Sequence, residues 1–325
     1  MRRLLIVATL LMSCLSSVAQ EGNLLQRAGA LWERHYRGAE VDTSFVMRPS
    51  TRWTLKGRMQ MSSYVLSTNG SYNGTHFSSS LGTDVSAKVS LSASYLGLTL
   101  SASVNPQRLF GDGHDYGISL NYYGRRFGAE FAASISQAPQ GWVQMGEGDV
   151  TPLALNNLLQ AHFRMNLYYI FNAKRFSYPA AFSQSYIQRR SSGSVIAGAA
   201  FEGMHLSLGD STLGEPTYRF SYGKVGLGVG YGYNFVPSQG WLLHLSALPS
   251  LIINSQRIYE INGVEQPSDG NELEFAIVGR GAVVYSFPKV FLGMTHIFNF
   301  SNTKANEIAM KNVSSQMMLF VGIRL

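Results

Sequence analysis

From Asp84 to Tyr95 apolar and polar residues alternate without a break. Val85, Ala87, Val89, Leu91, Ala93 and Tyr95 fall on one side, and Asp84, Ser86, Lys88, Ser90, Ser92 and Ser94 on the other. Successive strand side chains point to opposite faces, so the segment has one oily and one wet side. The pattern recurs down the chain. In 52–66, Leu55, Met59, Met61 and Val65 oppose Thr54, Lys56, Arg58, Gln60 and Ser62. Further alternating segments lie at 97–105, 115–123, 126–137, 160–172, 185–204, 217–235, 240–253, 271–286, 289–301 and 312–325, which makes twelve. In 240–253 both faces are apolar and 185–195 is not cleanly amphipathic, so the pattern defines the count to within two strands.

The connections have an order of their own. Polar stretches at 67–83, 106–114, 138–159, 205–216, 254–270 and 302–311 alternate with mostly short turns at 96–97, 124–125, 173–184, 236–239 and 287–288. An even number of strands, with long loops on one side and short turns on the other, is the arrangement of an outer-membrane barrel. The expected fold is all-β: a transmembrane antiparallel up-and-down β-barrel of about twelve strands over 51–325, with both termini periplasmic. A short periplasmic segment, 20–50, precedes it, and Leu24, Leu25, Ala28, Leu31 and Trp32 there have helical spacing. A soluble sandwich or lipocalin-like barrel would also alternate, but typically with strands of about five or six residues and about 25% charged residues. Here the strands are longer and only 14% of residues are charged.

The first residues indicate export. Arg2 and Arg3, the apolar run Leu4 to Met12 and the small residues ending at Ala19 have the order of a secretory signal, 1–19, with cleavage after Ala19. The run is too short to span a bilayer as a helix, which takes about 20 apolar residues. Leu11-Met12-Ser13-Cys14 also has the outline of a lipoprotein site, with a poorly fitting Met. Cys14 is the single cysteine, so a mature chain would hold none, which excludes disulfides and cysteine chemistry. Loss of Arg2 and Arg3 lowers the formal charge from +7 to +5, without the clustered cations of a nucleic-acid face.

If the polar faces line the lumen, they place Lys56, Arg58, Lys88, Arg164, Lys224 and Arg280 inside, together with Asp84, Glu130 and Glu274. These candidate lumen-lining residues either favour anions in a pore or brace the wall as ion pairs. Twelve strands lie between eight, where side chains fill the interior, and 16–18, where a channel opens. The basic, aromatic stretch from Lys174 to Arg190 is too long for a minimal turn, so Tyr178, Pro179, Phe182, Tyr186, Arg189 and Arg190 are candidates for a plug or constriction.

Catalysis finds little support. A serine hydrolase needs a nucleophile, a base and an orienting group together on the outer wall. His244 with Ser246, and His162 with Asn166, are the available pairs, and Asp112, His114 and Asp115 are the nearest carboxylate–histidine group. None sits in a recognisable motif. The histidines lack metal-ligand spacing, and alternating Gly226, Gly228, Gly230 and Gly232 has neither the Lys-Ser/Thr nor the helix of a phosphate loop. Inner-face glycines more simply make room for a bulky neighbour or a bend. No catalytic residue, cofactor or metal is expected.

The stretch FSYPAAFSQSYIQRRSSGS (176–194), Asp42-Thr43-Ser44-Phe45, the run from Leu98 to Pro106, and Tyr123-Gly124-Arg125-Arg126-Phe127-Gly128 resemble an uncharacterised outer-membrane-barrel family of Bacteroidetes, a domain of unknown function. The resemblance covers about 40–325. It implies a barrel in the Gram-negative outer membrane, and no activity or catalytic residue. The expected function is a narrow passive channel or a structural or interaction barrel, not an enzyme. The alternative is a membrane-embedded hydrolase of outer-membrane phospholipase type. The expected partners are outer-membrane lipid and, during biogenesis, the barrel-assembly machinery, with no nucleic acid.

Overall fold

A strand that is apolar on one face and polar on the other must bury one of them and pair both edges. A closed ring in lipid, with the apolar face outward, satisfies both demands. In the computed structural model, twelve staves form such a ring: β2 (Trp53–Tyr72), β3 (Thr75–Tyr95), β4 (Leu98–Val104), β5 (Asp115–Tyr123), β6 (Phe127–Gln137), β9 (Leu159–Ile170), β11 (Ser192–Leu208), β12 (Tyr218–Phe235), β13 (Trp241–Ile261), β15 (Glu274–Ser286), β16 (Val290–Ala305) and β17 (Ile308–Arg324). Each pairs antiparallel with its neighbours, and β17 closes on β2 through sixteen residue pairs, from Ala309↔Asn69 to Arg324↔Thr54. The structure describes residues 22–38, 40–72, 75–109, 115–137, 140–154, 159–208, 218–261, 263–266, 274–305 and 308–325. The expected signal, 1–19, lies outside them. The chain divides into two units, 1–40 and 41–325. The first contains α1 (Gly22–Arg37), with an Arg37–Glu33 pair at 2.8 Å one turn apart. No helix of the described residues is long and apolar enough to cross a membrane.

The outer wall is apolar where the alternation is strict. Leu91 and Leu245 are 72% and 73% exposed, and Leu55, Leu100, Ile118, Val229 and Val321 face outward with them. Aromatic pairs ring the short-turn end: Trp53–Tyr95, Phe127–Tyr169 and Trp241–Tyr285, each 4.9 Å between centroids. An apolar band edged by aromatic rings is how transmembrane barrels meet the lipid interface. At this end the β3–β4 turn is only Leu96-Gly97, both at positive φ (47° and 84°), which matches a right-twisted hairpin.

At the opposite end the expected polar loops are largely strand. The segment 67–83, rich in Asn, Gly, Ser and Thr, continues β2 to Tyr72 and begins β3 at Thr75. In the same way 302–311 belongs mostly to β16 and β17, and 254–261 to β13. The physical reason is that a stave leaving the apolar band meets water on both faces. It needs no alternation, yet its ladder still satisfies its backbone. A tilted strand crosses lipid in about 9–11 residues, so β2, β3 and β13, at 20, 21 and 21 residues, have about twice that length. The rim is uneven, because β4, β5 and β6 have only 7, 9 and 11 residues. Above β4 the upper part of β3 pairs instead with β7 (Gln140–Met145), which pairs with β8 (Thr151–Ala154); both fall in the expected loop 138–159. A three-residue strand, β14 (Val264–Gln266), flanks β13. The β2–β3 register shifts between Ser62 and Tyr64, so the ladder slips beside Asp84, where the long alternation begins.

Inside, at the short-turn end, aromatic rings lie on glycines of the adjoining stave. Tyr168 covers Gly128, its direct partner in the ladder, and Phe320 and Phe291 cover Gly293 and Gly322. A Cβ on Gly128 would sit 1.8 Å from Tyr168 Cζ, and the buried Tyr168 is hemmed in by Tyr123, Phe176 and Tyr178. Gly128→Val is therefore expected to destabilise the barrel by about 1–3 kcal/mol through overpacking. Gly57→Ala, with nothing within 4 Å, should be neutral. Thermal loss of heat-modifiable electrophoretic mobility measures both.

Candidate functional site

The connection from β9 to β11 does not turn back at the rim. It enters the barrel, forms a one-turn helix and leaves as a short strand. Local chemistry explains this helix, α3 (Tyr178–Phe182), which follows the one-turn α2 (Pro106–Leu109) in the chain. Ser177 caps it by accepting from Ala180 N–H (3.3 Å), and Pro179 in the first turn has no N–H to leave unpaired. The helix stops where Ser183 and Gln184 both donate their N–H to Pro179 O and Gln184 turns to a φ of 57°. Beyond it, β10 (Ile187–Gln188) pairs with β1 (Val46–Met47) of the extended lead-in. There Ser44 hydrogen-bonds Asp42 through its hydroxyl (2.6 Å) and its N–H, which lowers the Asp42 carboxyl below its usual value.

The plug touches staves on every side of the ring. Tyr178 stacks edge-on against Tyr168 of β9, Phe176 fills the space over Gly232 of β12, and His244 of β13 sits among Phe176, Tyr178 and Phe182. Three cations hold it. Lys56 of β2 donates to Phe182 O (3.0 Å) and Gln184 Oε1 (2.8 Å), Arg324 of β17 donates to Gln184 O (3.0 Å), and Arg280 of β15 lies 5.8 and 5.7 Å from the ring centroids of Tyr178 and Phe182. The last carbonyls of a helix are where cations bind best. Of the plug candidates, Tyr178, Pro179 and Tyr186 are buried and Phe182 half-buried. Arg189 and Arg190 are exposed and belong to neither plug nor constriction: Arg189 reaches Thr43 O, and Arg190 lies over Phe45, because the chain has by then returned to the rim.

A directed hydrogen-bond chain runs beneath the plug. Asn234 Nδ2 donates to Ser177 O and Gln188 Oε1 (both 2.9 Å), so its Oδ1 faces His244 Nδ1 at 2.7 Å. That places the imidazole proton on Nδ1 and leaves Nε2 to accept from Ser246 Oγ, 2.9 Å away. All three groups of the Ser246–His244–Asn234 relay are buried on the lumen face, not on the lipid face. The other pair considered, His162 with Asn166, is split. His162 contacts Glu202 (2.9 Å) and Asn166 donates to Glu130 (3.2 Å). Asp112 and His114 lie outside the described residues.

Above the plug, charges pair with one another, once across the lumen and otherwise along one wall. Arg280 grips Glu130 of β6 with both terminal nitrogens (2.5 and 2.7 Å), and Tyr123 adds a 3.1 Å hydrogen bond. β15 and β6 are not neighbours, so this contact crosses the barrel. Lys88 pairs with Asp115, which also accepts from Ser86 and Asn105. Lys224 pairs with Glu202 (3.0 Å), and Glu274 with Arg257. The side chain of Asp84 lies outside the described ones. The acids Glu202 and Asp115 and the base Arg257 are not in the expected lining: Glu202 lies near the end of the expected strand 185–204, Asp115 beside a loop, and Arg257 in the expected loop 254–270. Arg324, Gln184 and Asn234 carried no signal beyond strand alternation or composition.

Lys88, Asp115, Glu130, Glu202 and Arg280 border a cavity of about 790 Å³ between the plug and the long-loop end. Its floor is Tyr123, Glu130 and Arg280, and its walls are mostly serine and amide side chains. Arg58, which gives Nε to Ser90 Oγ (3.1 Å), and Arg164 also line it.

The family model for a domain of unknown function, DUF4421, matches residues 40–324. The chain belongs to the DUF4421 family. For this DUF4421 barrel, a search of curated proteins finds no match. Among solved structures it is similar to the outer membrane protease OmpT from Escherichia coli (7% identity, 85% of this chain and 97% of that one, TM-score 0.39). It is also similar to an outer membrane channel from Pseudomonas putida F1 (13%, 86% and 100%, 0.31) and to OprG from Pseudomonas aeruginosa (10%, 86% and 98%, 0.29). At these identities and TM-scores none of them informs what the DUF4421 barrel does.

Removing one member of a buried ion pair strands the other, at about 3–5 kcal/mol. Glu130→Gln, which leaves Arg280 buried beside Tyr178, is expected to lower unfolding stability by that order. Combining Glu130→Gln with Arg280→Met should recover most of the loss. Urea unfolding in detergent or lipid checks both.

Proposed function

We propose that this protein is an outer-membrane barrel of a Gram-negative bacterium, oriented with its short turns and termini in the periplasm. In this reading its lumen is closed on the periplasmic side by residues 176–188, and it works through the vestibule above them by binding or interaction. It is neither an enzyme nor a standing passive channel. The carrying observation is the plug itself: side chains from β2, β9, β12, β13, β15 and β17 converge on it, and Phe176, Ala181, Ser183 and Gln184 are 0% exposed. Short turns on the periplasmic side support the orientation, and the apolar wall supports outer-membrane lipid and the barrel-assembly machinery as partners. In planar bilayers the purified protein should show little or no steady conductance. Replacing residues 174–190 by a short Gly-Ser turn should raise it at least tenfold. Steady wild-type current equal to that of the plug-deleted barrel would sink the closed-lumen reading.

A second reading, a membrane-embedded serine hydrolase, has one observation in its favour: the Ser246–His244–Asn234 relay has the tautomer a general base needs. Its place beneath the plug aromatics argues for bracing instead, since neither lipid nor solvent meets Ser246 there. A fluorophosphonate probe should leave the wild-type protein unlabelled; covalent labelling at Ser246 would establish the hydrolase.

A further inference from the structure

The vestibule holds more positive charge than its own wall neutralises. Each acid at its border already has a cation: Asp115 has Lys88, Glu130 has Arg280, and Glu202 has Lys224 with His162 beside it. Arg108 of α2 also lines the space. On the staves Arg58 and Arg164 remain, and among the described residues neither makes an ion pair, although Arg164 stands opposite Glu202 in the β9–β11 ladder. They stand on β2 and β9, five steps apart in a ring of twelve, so they approach the space from nearly opposite walls. Between them the lining is hydroxyl and amide: Ser62, Ser119, Ser134, Asn121, Asn299 and Gln316. Such a wall offers hydrogen bonds in both directions alongside the apolar side chains of Ile118, Ala132, Ala133, Ile297 and Met318, so it suits a solute that carries both hydroxyls and C–H faces, as a sugar does. A guanidinium prefers a planar anion that it can meet with two N–H groups, and a carboxylate is one. A volume of about 790 Å³ is within the range of small-molecule sites.

We propose that the vestibule binds a small acidic sugar, a carboxylate-bearing, hydroxyl-rich solute. Its carboxylate engages the guanidiniums of Arg58 and Arg164, and its hydroxyls engage the serine and amide wall. The site deepens the vestibule reading of the previous subsection and uses the plug only as its floor. In the folded state the two arginines are held apart by the barrel, so the anion is met by preset donors and little ordering accompanies binding.

The test is calorimetric titration of the full-length barrel in detergent at low salt, with D-glucuronate, D-glucose and acetate as probes. D-Glucuronate should bind saturably, more weakly as salt rises. D-Glucose and acetate should each bind at least tenfold more weakly. The double variant Arg58→Gln, Arg164→Gln should lose at least tenfold in D-glucuronate affinity. Arg219→Gln, at a surface pair with Glu260, should bind as wild type, with heat-modifiable mobility confirming that both variants fold. Absence of D-glucuronate binding, or undiminished binding by the double variant, overturns the site. Acetate binding as tightly as D-glucuronate overturns the sugar half of the assignment. A wild-type barrel that conducts but still binds overturns only the plug reading, whereas one that stays closed and fails to bind overturns only this one.

Discussion

Among the described residues Lys56 and Arg324 are buried cations that pair with no carboxylate, and that single fact organises the lower half of the barrel. An isolated buried charge is costly, so each must be met by oriented dipoles. The plug supplies them as Phe182 O, Gln184 O and Gln184 Oε1, at the end of a helix too short to cap itself fully. The dependence runs both ways. Without the cations the plug would have unpaired carbonyls in a closed space, and without the plug Lys56 would lose both its acceptors and Arg324 would keep only Phe287 O and Ser286 Oγ. The aromatic cluster of Phe176, Tyr178, Phe182 and Tyr168 then packs around a fixed point.

The polar groups divide by level. Near the plug they are neutral and directed, as in the Asn234–His244–Ser246 relay, where one amide orientation sets each following donor. Higher up they are ionic and span the lumen, as with Arg280 and Glu130. The first kind specifies one geometry for the plug, and the second ties opposite walls together across a space that twelve staves leave too wide for side chains to fill. Glycines serve the same division. They cluster under rings at the plug level, whereas the vestibule wall above is largely serine and amide.

Much of this was legible in the chain, for identifiable reasons. Lipid enforces strict alternation, so Asp84–Tyr95 and its relatives announced the staves, and Leu96-Gly97 announced its turn. Where water wets both faces the same ladder needs no pattern, and 67–83 reads as loop although 67–72 and 75–83 are strand. The composition of 174–190 marked it as unusual. Its entry into the lumen depended on partners more than a hundred residues away in sequence, Lys56 and Arg324 among them, which no local pattern encodes. Candidate lining residues followed from register alone. Their pairing did not, because a partner such as Arg257 lies where the alternation stops, and a contact such as Arg280 with Glu130 joins staves far apart in sequence.

Gln184 is gripped from two sides, by Lys56 on the first stave and Arg324 on the last, and these are the two staves that close the ring. The plug therefore straddles the seam like a latch across a clasp. While the seam is open, the latch has only one half of its catch. Seating of the plug and zippering of β17 onto β2 become one event, and a barrel that has not closed keeps its aromatic segment unanchored. The wall and its stopper thus certify each other: an occupied lumen is the mark of a finished cylinder.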